Sequence, residues 1–205
     1  MGLFDHEARQ FKFDVLREVS IHAYDGTLTE KFDDELAYKL IPNNHADFRC
    51  CVYKEREIIR QRVRVAMGKA PTLRAKTSSK PKQIVKVLEA ACDGCTIQRI
   101  QITDNCRKCM AKSCKSACKF DAISMGSNRA VIDHDKCVEC GQCVKACPFN
   151  AIIDTPRPCK ASCAVDAILL DEFNISQINE EKCINCAACQ SACPFGAVNV
   201  NHAPP

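Results

Sequence analysis

"CVECGQCVKACPFNAI", Cys137 to Ile152, is the stretch on which the fold turns. Its cysteines stand at C-x2-C-x2-C-x3-C, and a proline, Pro148, follows the fourth. The same pattern returns 46 residues on (183 minus 137) as "CINCAACQSACPFGAV", Cys183 to Val198. Upstream, "CKSACKFDAI", Cys114 to Ile123, has a near copy in "CKASCAVDAI", Cys159 to Ile168. Cys114 to Ile152 therefore matches Cys159 to Val198, with one extra residue in the second copy. A repeat of fixed period means one structural unit used twice. In each copy a short apolar piece, "AISM" or "AILL", a polar turn, and then "AVID" or "ISQI" predict two short strands ahead of the cysteine run.

Four cysteines at this spacing, closed by proline, form the ligand pattern of bacterial 4Fe-4S proteins, in which the fourth thiolate serves the neighbouring cluster. Zinc would use four ligands as two C-x2-C knuckles and would leave the third equally spaced cysteine without a purpose. Disulfides are disfavoured by the density of close pairs in a chain read as cytoplasmic. A third run, Cys106, Cys109, Cys114 and Cys118, reads C-x2-C-x4-C-x3-C, with Lys119 where the others have proline. Under the crossover rule it pairs with the Cys137 run to give two sites: Cys106, Cys109, Cys114 with Cys147, and Cys137, Cys140, Cys143 with Cys118. The longer loop and Lys119 are expected to change hydrogen bonding and field at one of them.

The stretch "RPCKASCAVDAI", Arg157 to Ile168, carries only two cysteines. By the same rule Cys163 joins Cys183, Cys186 and Cys189, and Cys159 joins Cys193. The missing pair is expected at "ACDGC", as Cys92 and Cys95, giving a fourth site of Cys92, Cys95, Cys159 and Cys193. Four 4Fe-4S clusters then use sixteen cysteines. In the alternative, Cys92 and Cys95 are ordinary buried thiols and three clusters remain. Cys50 and Cys51 stay unassigned, read as semi-buried thiols, as a contact with a partner's cofactor or as redox-active thiols.

Eighteen cysteines in 205 residues, with no Trp and seven Gly, mean that cysteine replaces part of an ordinary core. The N-terminus "MGLFDHEARQ" lacks a basic segment followed by an apolar run, and no stretch is long and apolar enough to span a bilayer, so a cytoplasmic location is expected. Phe4, Ala8, Phe11, Val15 and Val19 recur at helical spacing, and Glu55 to Met67 reads as a second helix. Lys69 to Lys82 reads as a connector. Pro81 is placed to open a further helix that carries Ile84, Val87, Leu88 and Ala91 on one face. Residues 54–86 hold 11 Lys/Arg against Glu55 and Glu57, while residues 1–53 hold 10 Asp/Glu against 6 Lys/Arg. This basic segment either pairs with the acidic N-terminal part or docks an acidic partner. Nucleic acid is an unlikely partner, since no aromatic residues are interleaved with the charge.

The order "CCVYKERE", "ACDGC", "TDNCRKCMAKSCKSAC" and two C-x2-C-x2-C-x3-C-P runs flanking "RPCKASCAVDAI" resembles the N-terminal iron-sulfur region of monomeric iron-only (FeFe) hydrogenases of anaerobic bacteria, in the branch called group B. The resemblance covers Phe11 to about Val198. It implies a 4Fe-4S relay between an external carrier and a hydrogen-activating cluster, in an anaerobic setting. That family's three catalytic cysteine motifs would follow residue 198 and are not among these 205 residues, so an electron-transfer protein is expected rather than an enzyme. A truncated or split hydrogenase and a redox-sensing module are the alternatives. The expected partner is a redox protein: a hydrogenase catalytic unit, a ferredoxin or another oxidoreductase.

The expected fold is α+β, a helical N-terminal region packed on two ferredoxin-like (βαββαβ-type) modules. The boundaries read as 1–91 helical, 92–153 first module, 154–200 second module and 201–205 tail, with 92–95 lending ligands to the second module.

Overall fold

The computed structural model describes residues 7–72 and 84–200. The chain is α+β, with helices concentrated at the N-terminus and four small antiparallel sheets of two strands each among the described residues. It divides into two compact units. One comprises Met1–Gly94 together with Pro158–Pro205, and the other is Cys95–Arg157. The divisions read from sequence, 1–91, 92–153 and 154–200, are thus grouped differently in space. The second module and the helical region share one unit, and the first module is inserted into it.

In the first unit three helices come early: α1 (Glu7–Tyr24), α2 (Phe32–Leu40) and α3 (Val52–Ala66). Val15, Val19, Leu36, Ile59 and Val63 meet in their common core. The other side of α3 contributes Ile58 and Val65 to a second core. A helix apolar on two sides is buried on both, which is why polar positions of α3 are buried too. Of its cations, Arg64 pairs with Asp33 at 2.5 Å and Arg60 pairs with Asp34. Arg56 donates to the carbonyls of Ile41 and Asn43 at 3.1 and 2.9 Å. Two of the five cations of α3 are therefore neutralised by the acidic N-terminal part, while Lys54 pairs with Asp93 at 2.6 Å. Glu55, fully buried, accepts the backbone N–H groups of Asp47, Phe48 and Arg49 at 2.8, 2.6 and 2.8 Å and fixes the turn before Cys50.

The sequence expectation of a helix through Ile84, Val87, Leu88 and Ala91 is corrected by the structure. Val85–Val87 is a strand, β1, and only Glu89–Cys92 is helical, as the short α4. Val85 and Val87 alternate around Lys86, and β-branched residues in period two suit a pleated surface. Residues apolar at 84, 87, 88 and 91 satisfy the helical template as well, so local periodicity could not decide. Pairing with a distant strand does: β8 (Val198–Val200) lies antiparallel to β1, with Val85 opposite Val200 and Val87 opposite Val198. Pro81 lies outside the described residues.

The inserted unit has the order β2 (Ile100–Ile102), α5 (Ser113–Ser116), β3 (Ile123–Met125), β4 (Ala130–Ile132), α6 (Gln142–Ala146), β5 (Ile152–Asp154). β3 and β4 form a hairpin, and β2 pairs with β5, Ile100 opposite Asp154 and Ile102 opposite Ile152. The first unit repeats this plan across the insertion. β1 is followed, after the inserted unit, by α7 (Pro158–Ala161), the hairpin β6 (Ile168–Leu170) and β7 (Ser176–Ile178), α8 (Ala188–Ala192) and β8. The two hairpins stand where the "AISM"/"AVID" and "AILL"/"ISQI" patterns place them.

Candidate functional site

Four turns of one design position the cysteines. Cys118, Cys147, Cys163 and Cys193 are each followed, three residues on, by a left-handed residue: Asp121, Asn150, Asp166 and Gly196, with φ from 48° to 57°. The next residue is in each case a fully buried alanine, Ala122, Ala151, Ala167 or Ala197. Its N–H donates back to the cysteine sulfur at 3.4, 3.4, 3.2 and 3.3 Å respectively. Its carbonyl accepts an N–H from Asp133, Thr103, Asn179 or Leu88 at 2.7 to 2.8 Å. The alanine thus ties a sulfur to a strand, and a larger side chain would have no room. The signal was present in the sequence as "DAI", "NAI", "DAI" and "GAV" after each of these cysteines, but its meaning needs the turn geometry. Cys118, followed by Lys119, accepts this hydrogen bond at the same 3.4 Å as Cys147, followed by Pro148. The expectation that lysine at this place alters hydrogen bonding is therefore not met at that bond.

Ahead of these turns the cysteine loops are wound by further left-handed residues. Lys108, Glu139 and Asn185 stand two after the first cysteine of each run, and Lys112, Gly141 and Ala187 two before the third. The two extra residues between Cys109 and Cys114 are absorbed ahead of Lys112, which caps α5 as Gly141 caps α6. Of the nine non-glycine residues with positive φ among the described residues, all but Asn174 lie in these cysteine loops and turns. Each such conformation costs about 1 kcal/mol for an L-residue and persists where the surroundings over-determine it.

Three recesses result. One is lined by Cys106, Cys109, Cys114 and Cys147. A second is lined by Cys118, Cys137, Cys140 and Cys143, and a third by Cys163, Cys183, Cys186 and Cys189. Their volumes, open mouths included, are about 380, 350 and 350 Å³. Burial pushes the thiols of Cys114, Cys143 and Cys189 up, and neighbouring cysteine sulfurs push the same way: Cys147, Cys106 and Cys109 for Cys114, and Cys137 and Cys118 for Cys143. Thiols that raise one another's pKa in an apolar recess are suited to bind a positively charged iron core, which takes them as thiolates.

Cys92, Cys159 and Cys193 come together differently, inside the core of the first unit with Val85, Leu88, Ile168 and Val198. Burial raises the Cys159 thiol; the Ser176 hydroxyl partly offsets this, and the Cys193 and Cys92 sulfurs add to the rise. The N–H of Ser176 donates to Cys92 Sγ at 3.4 Å, as the N–H of Ala130 donates to Cys106 Sγ at 3.5 Å. Ala130 opens β4 and Ser176 opens β7, so Cys92 occupies in one repeat the place of Cys106 in the other. The Ser176 hydroxyl adds a contact of 3.7 Å to Cys159 Sγ. Cys95 is the first residue of the inserted unit. In "ACDGC" Gly94 is obligatory for space: a Cβ there would fall 2.7 and 2.9 Å from two ring carbons of Phe195 and would strike the Arg49 guanidinium.

Around this buried set lies a second shell that sequence reasoning did not find. Arg62, buried on α3, donates from Nη2 to the carbonyl of Phe195 at 3.3 Å, while its Nε has no partner among the described residues. Burial pulls its pKa down to about 10, and the Cys193 sulfur works in the opposite sense. Cys50 and Cys51 are exposed and line none of the three recesses. Among the described residues no group of three or more His, Cys, Asp or Glu side chains is arranged to hold a single metal ion. No described helix is long and apolar enough to cross a membrane.

The repeats also stand out by comparison. Residues 130–153 and 176–199 each match the family model of the 4Fe-4S binding domain. A 51-residue stretch, 25% of this chain, is 39% identical to Ferredoxin-1 of Caulobacter vibrioides and covers 45% of that protein. A ferredoxin of Rickettsia felis is likewise 39% identical over 51 residues, 25% of this chain and 47% of that protein. The chain thus spans just under half the length of these relatives.

Proposed function

We propose that the chain is an electron carrier built as a relay of four 4Fe-4S clusters. The cysteines that hold them would be Cys106, Cys109, Cys114 and Cys147; Cys118, Cys137, Cys140 and Cys143; Cys163, Cys183, Cys186 and Cys189; and Cys92, Cys95, Cys159 and Cys193. The observation that carries the reading is the fourfold Cys-to-Ala turn, with its N–H aimed at sulfur, ahead of apolar recesses lined by four cysteines. For the last set the support is that Cys92 takes from Ser176 the hydrogen bond that Cys106 takes from Ala130; Cys95 enters by its C-x2-C spacing.

When bound, such clusters supply one-electron chemistry over a wide range of potentials. The chain's own residues do the rest. Alanine N–H groups donate to the sulfurs and favour the electron-rich state, while the side chains lining each recess set the local dielectric. Within the first unit, Cys163, Cys183 and Cys189 pack against the core that contains Cys92, Cys159 and Cys193, which sets the two groups side by side for transfer between them. The finer reading, that the relay serves a hydrogen-activating catalytic unit or a similar anaerobic enzyme, rests on the sequence resemblance.

Anaerobic purification with iron and sulfide counting and EPR of the reduced protein tests the proposal. About sixteen irons per chain are expected for four cubanes; about twelve would remove the Cys92 and Cys95 site, and tightly bound zinc would overturn the reading. Cys92→Ala and Cys193→Ala should abolish the same spectral component.

A further inference from the structure

We infer that the mouth of the recess formed by Cys106, Cys109, Cys114 and Cys147 is the docking surface for an acidic one-electron carrier protein. The inference rests on the relay reading and adds to it the point of entry and the chemistry of the partner. The repeated loops are alike in backbone and unlike in charge. Between Cys106 and Lys119 stand Arg107, Lys108, Lys112, Lys115 and Lys119, and no carboxylate. The corresponding run from Cys137 to Pro148 carries one of each sign, Glu139 and Lys145, and that from Cys183 to Pro194 carries no charge. A repeat that needed an excess of cations to hold a cluster would carry it in every copy; of these three runs only this one does.

The five cationic side chains are exposed, and three of them, Arg107, Lys108 and Lys112, line the recess, whose wall includes no Asp or Glu. The nearest carboxylate upstream, Asp104, is already paired with Arg129 at 2.7 Å. Lys108 Nζ donates to the carbonyl of Ser127 at 2.6 Å, which holds it over the rim. Set among the cations are apolar side chains with no cover: Met110 is 97% exposed, and Phe149, which lines the same recess, 49%. Exposed apolar side chains within a charged rim, here one Arg and four Lys, have the layout of a transient protein interface steered by charge. An exposed cationic collar steers an acidic partner to the face where its cofactor comes closest to a cluster.

The test uses the full-length holoprotein and, as probe, a small acidic 2Fe-2S ferredoxin of the plant type. Binding is measured by calorimetry and electron transfer by stopped flow. Binding is expected at roughly 20 mM salt and should weaken at least about tenfold by roughly 200 mM. The variant R107Q/K108Q/K112Q, which changes the three cations that line the recess, should weaken binding about tenfold at low salt. A control, K136Q/K160Q/K182Q, removes the same net charge elsewhere and should leave binding near that of the parent. Equal loss in both variants, or in neither, overturns the docking surface. Its failure is separable from that of the relay. Clusters present and reducible by dithionite, with binding indifferent to the collar, refute only the docking surface; an iron-free protein whose collar still binds the probe refutes only the relay.

Discussion

Ser176→Ala isolates one hydroxyl at the buried set. Ser176 is 1% exposed, its Oγ lies 3.7 Å from Cys159 Sγ, and its N–H is already committed to Cys92. The substitution removes the hydroxyl, keeps the N–H and recreates the alanine that the other repeat carries at position 130. No buried polar group is left without a partner, so the stability cost should stay below about 1.5 kcal/mol. The effect on potential is larger in proportion. A hydroxyl that donates to a ligand sulfur favours the more electron-rich, reduced state, so its loss lowers the potential. If about 1 kcal/mol of that bond is gained on reduction, and one electron corresponds to 59 mV per 1.4 kcal/mol, the shift is about 40 mV downward. An anaerobic EPR-monitored redox titration reads it on the component that Cys193→Ala abolishes. A shift smaller than about 10 mV, an upward shift, or a shift in a different component would refute the placement of Ser176 at this site.

Gly94→Ala forces a Cβ against Phe195, two residues after Cys193. A cost of about 1–3 kcal/mol and loss of about four irons from one site are expected, read by thermal unfolding and iron content. Glu55→Ala strips three backbone N–H groups of their shared acceptor in a fully buried position. Its expected cost is about 3 kcal/mol by anaerobic thermal unfolding, with Glu55→Gln, which keeps an acceptor oxygen, markedly milder. The pH dependence has opposite signs with and without metal. Burial raises the Cys114, Cys143, Cys159 and Cys189 thiols above the usual 9.0, so in the cluster-free protein their contribution to stability is fully present below pH 9 and declines as pH rises beyond it. Cluster retention, which needs thiolates, should instead weaken as pH falls, as a chelator-challenge series across pH would show.

Cysteine spacing made much of this architecture legible, because ligand spacing is a local property that survives any rearrangement around it. The hairpins were legible for the same reason: "AISM" to "AVID" is short-range pairing. What escaped was long-range. β1 and β8 pair across more than a hundred residues, and nothing within "IVKVLEAA" distinguishes a strand ending in a helical turn from a helix. The comparison that could have distinguished them is internal. "IQITDNC" ahead of Cys106 and "VKVLEAAC" ahead of Cys92 both place alternating apolar residues before the first cysteine, with one residue more in the second. For the basic segment, pairing with the acidic N-terminal part was one of the two readings, and Arg60 and Arg64 do pair with Asp34 and Asp33; the burial of Arg56 and Arg62 was not legible, because it follows from α3 packing on two sides. Among the described residues, five exposed cations cluster in the Cys106 loop.

Inserting one repeat into the chain of the other would by chain length alone set Cys92 and Cys159 far apart. The inserted unit closes its own neck instead. Antiparallel pairing of β2 with β5 brings residues 100 and 154 side by side, and Arg99 grips Asp154 through two bonds of 2.6 and 2.8 Å. Thr155 N–H donates to the Arg99 carbonyl at 2.8 Å, one step nearer the ends. The inserted unit therefore behaves as a short loop rather than a chain of 64 residues between Cys95 and Cys159 (159 minus 95). With the loop-closure cost scaling as (3/2)RT ln n, shrinking the flexible length to about ten residues saves about 1.6 kcal/mol. The insertion itself thus shortens the path between Cys92 and Cys159 that its presence had lengthened.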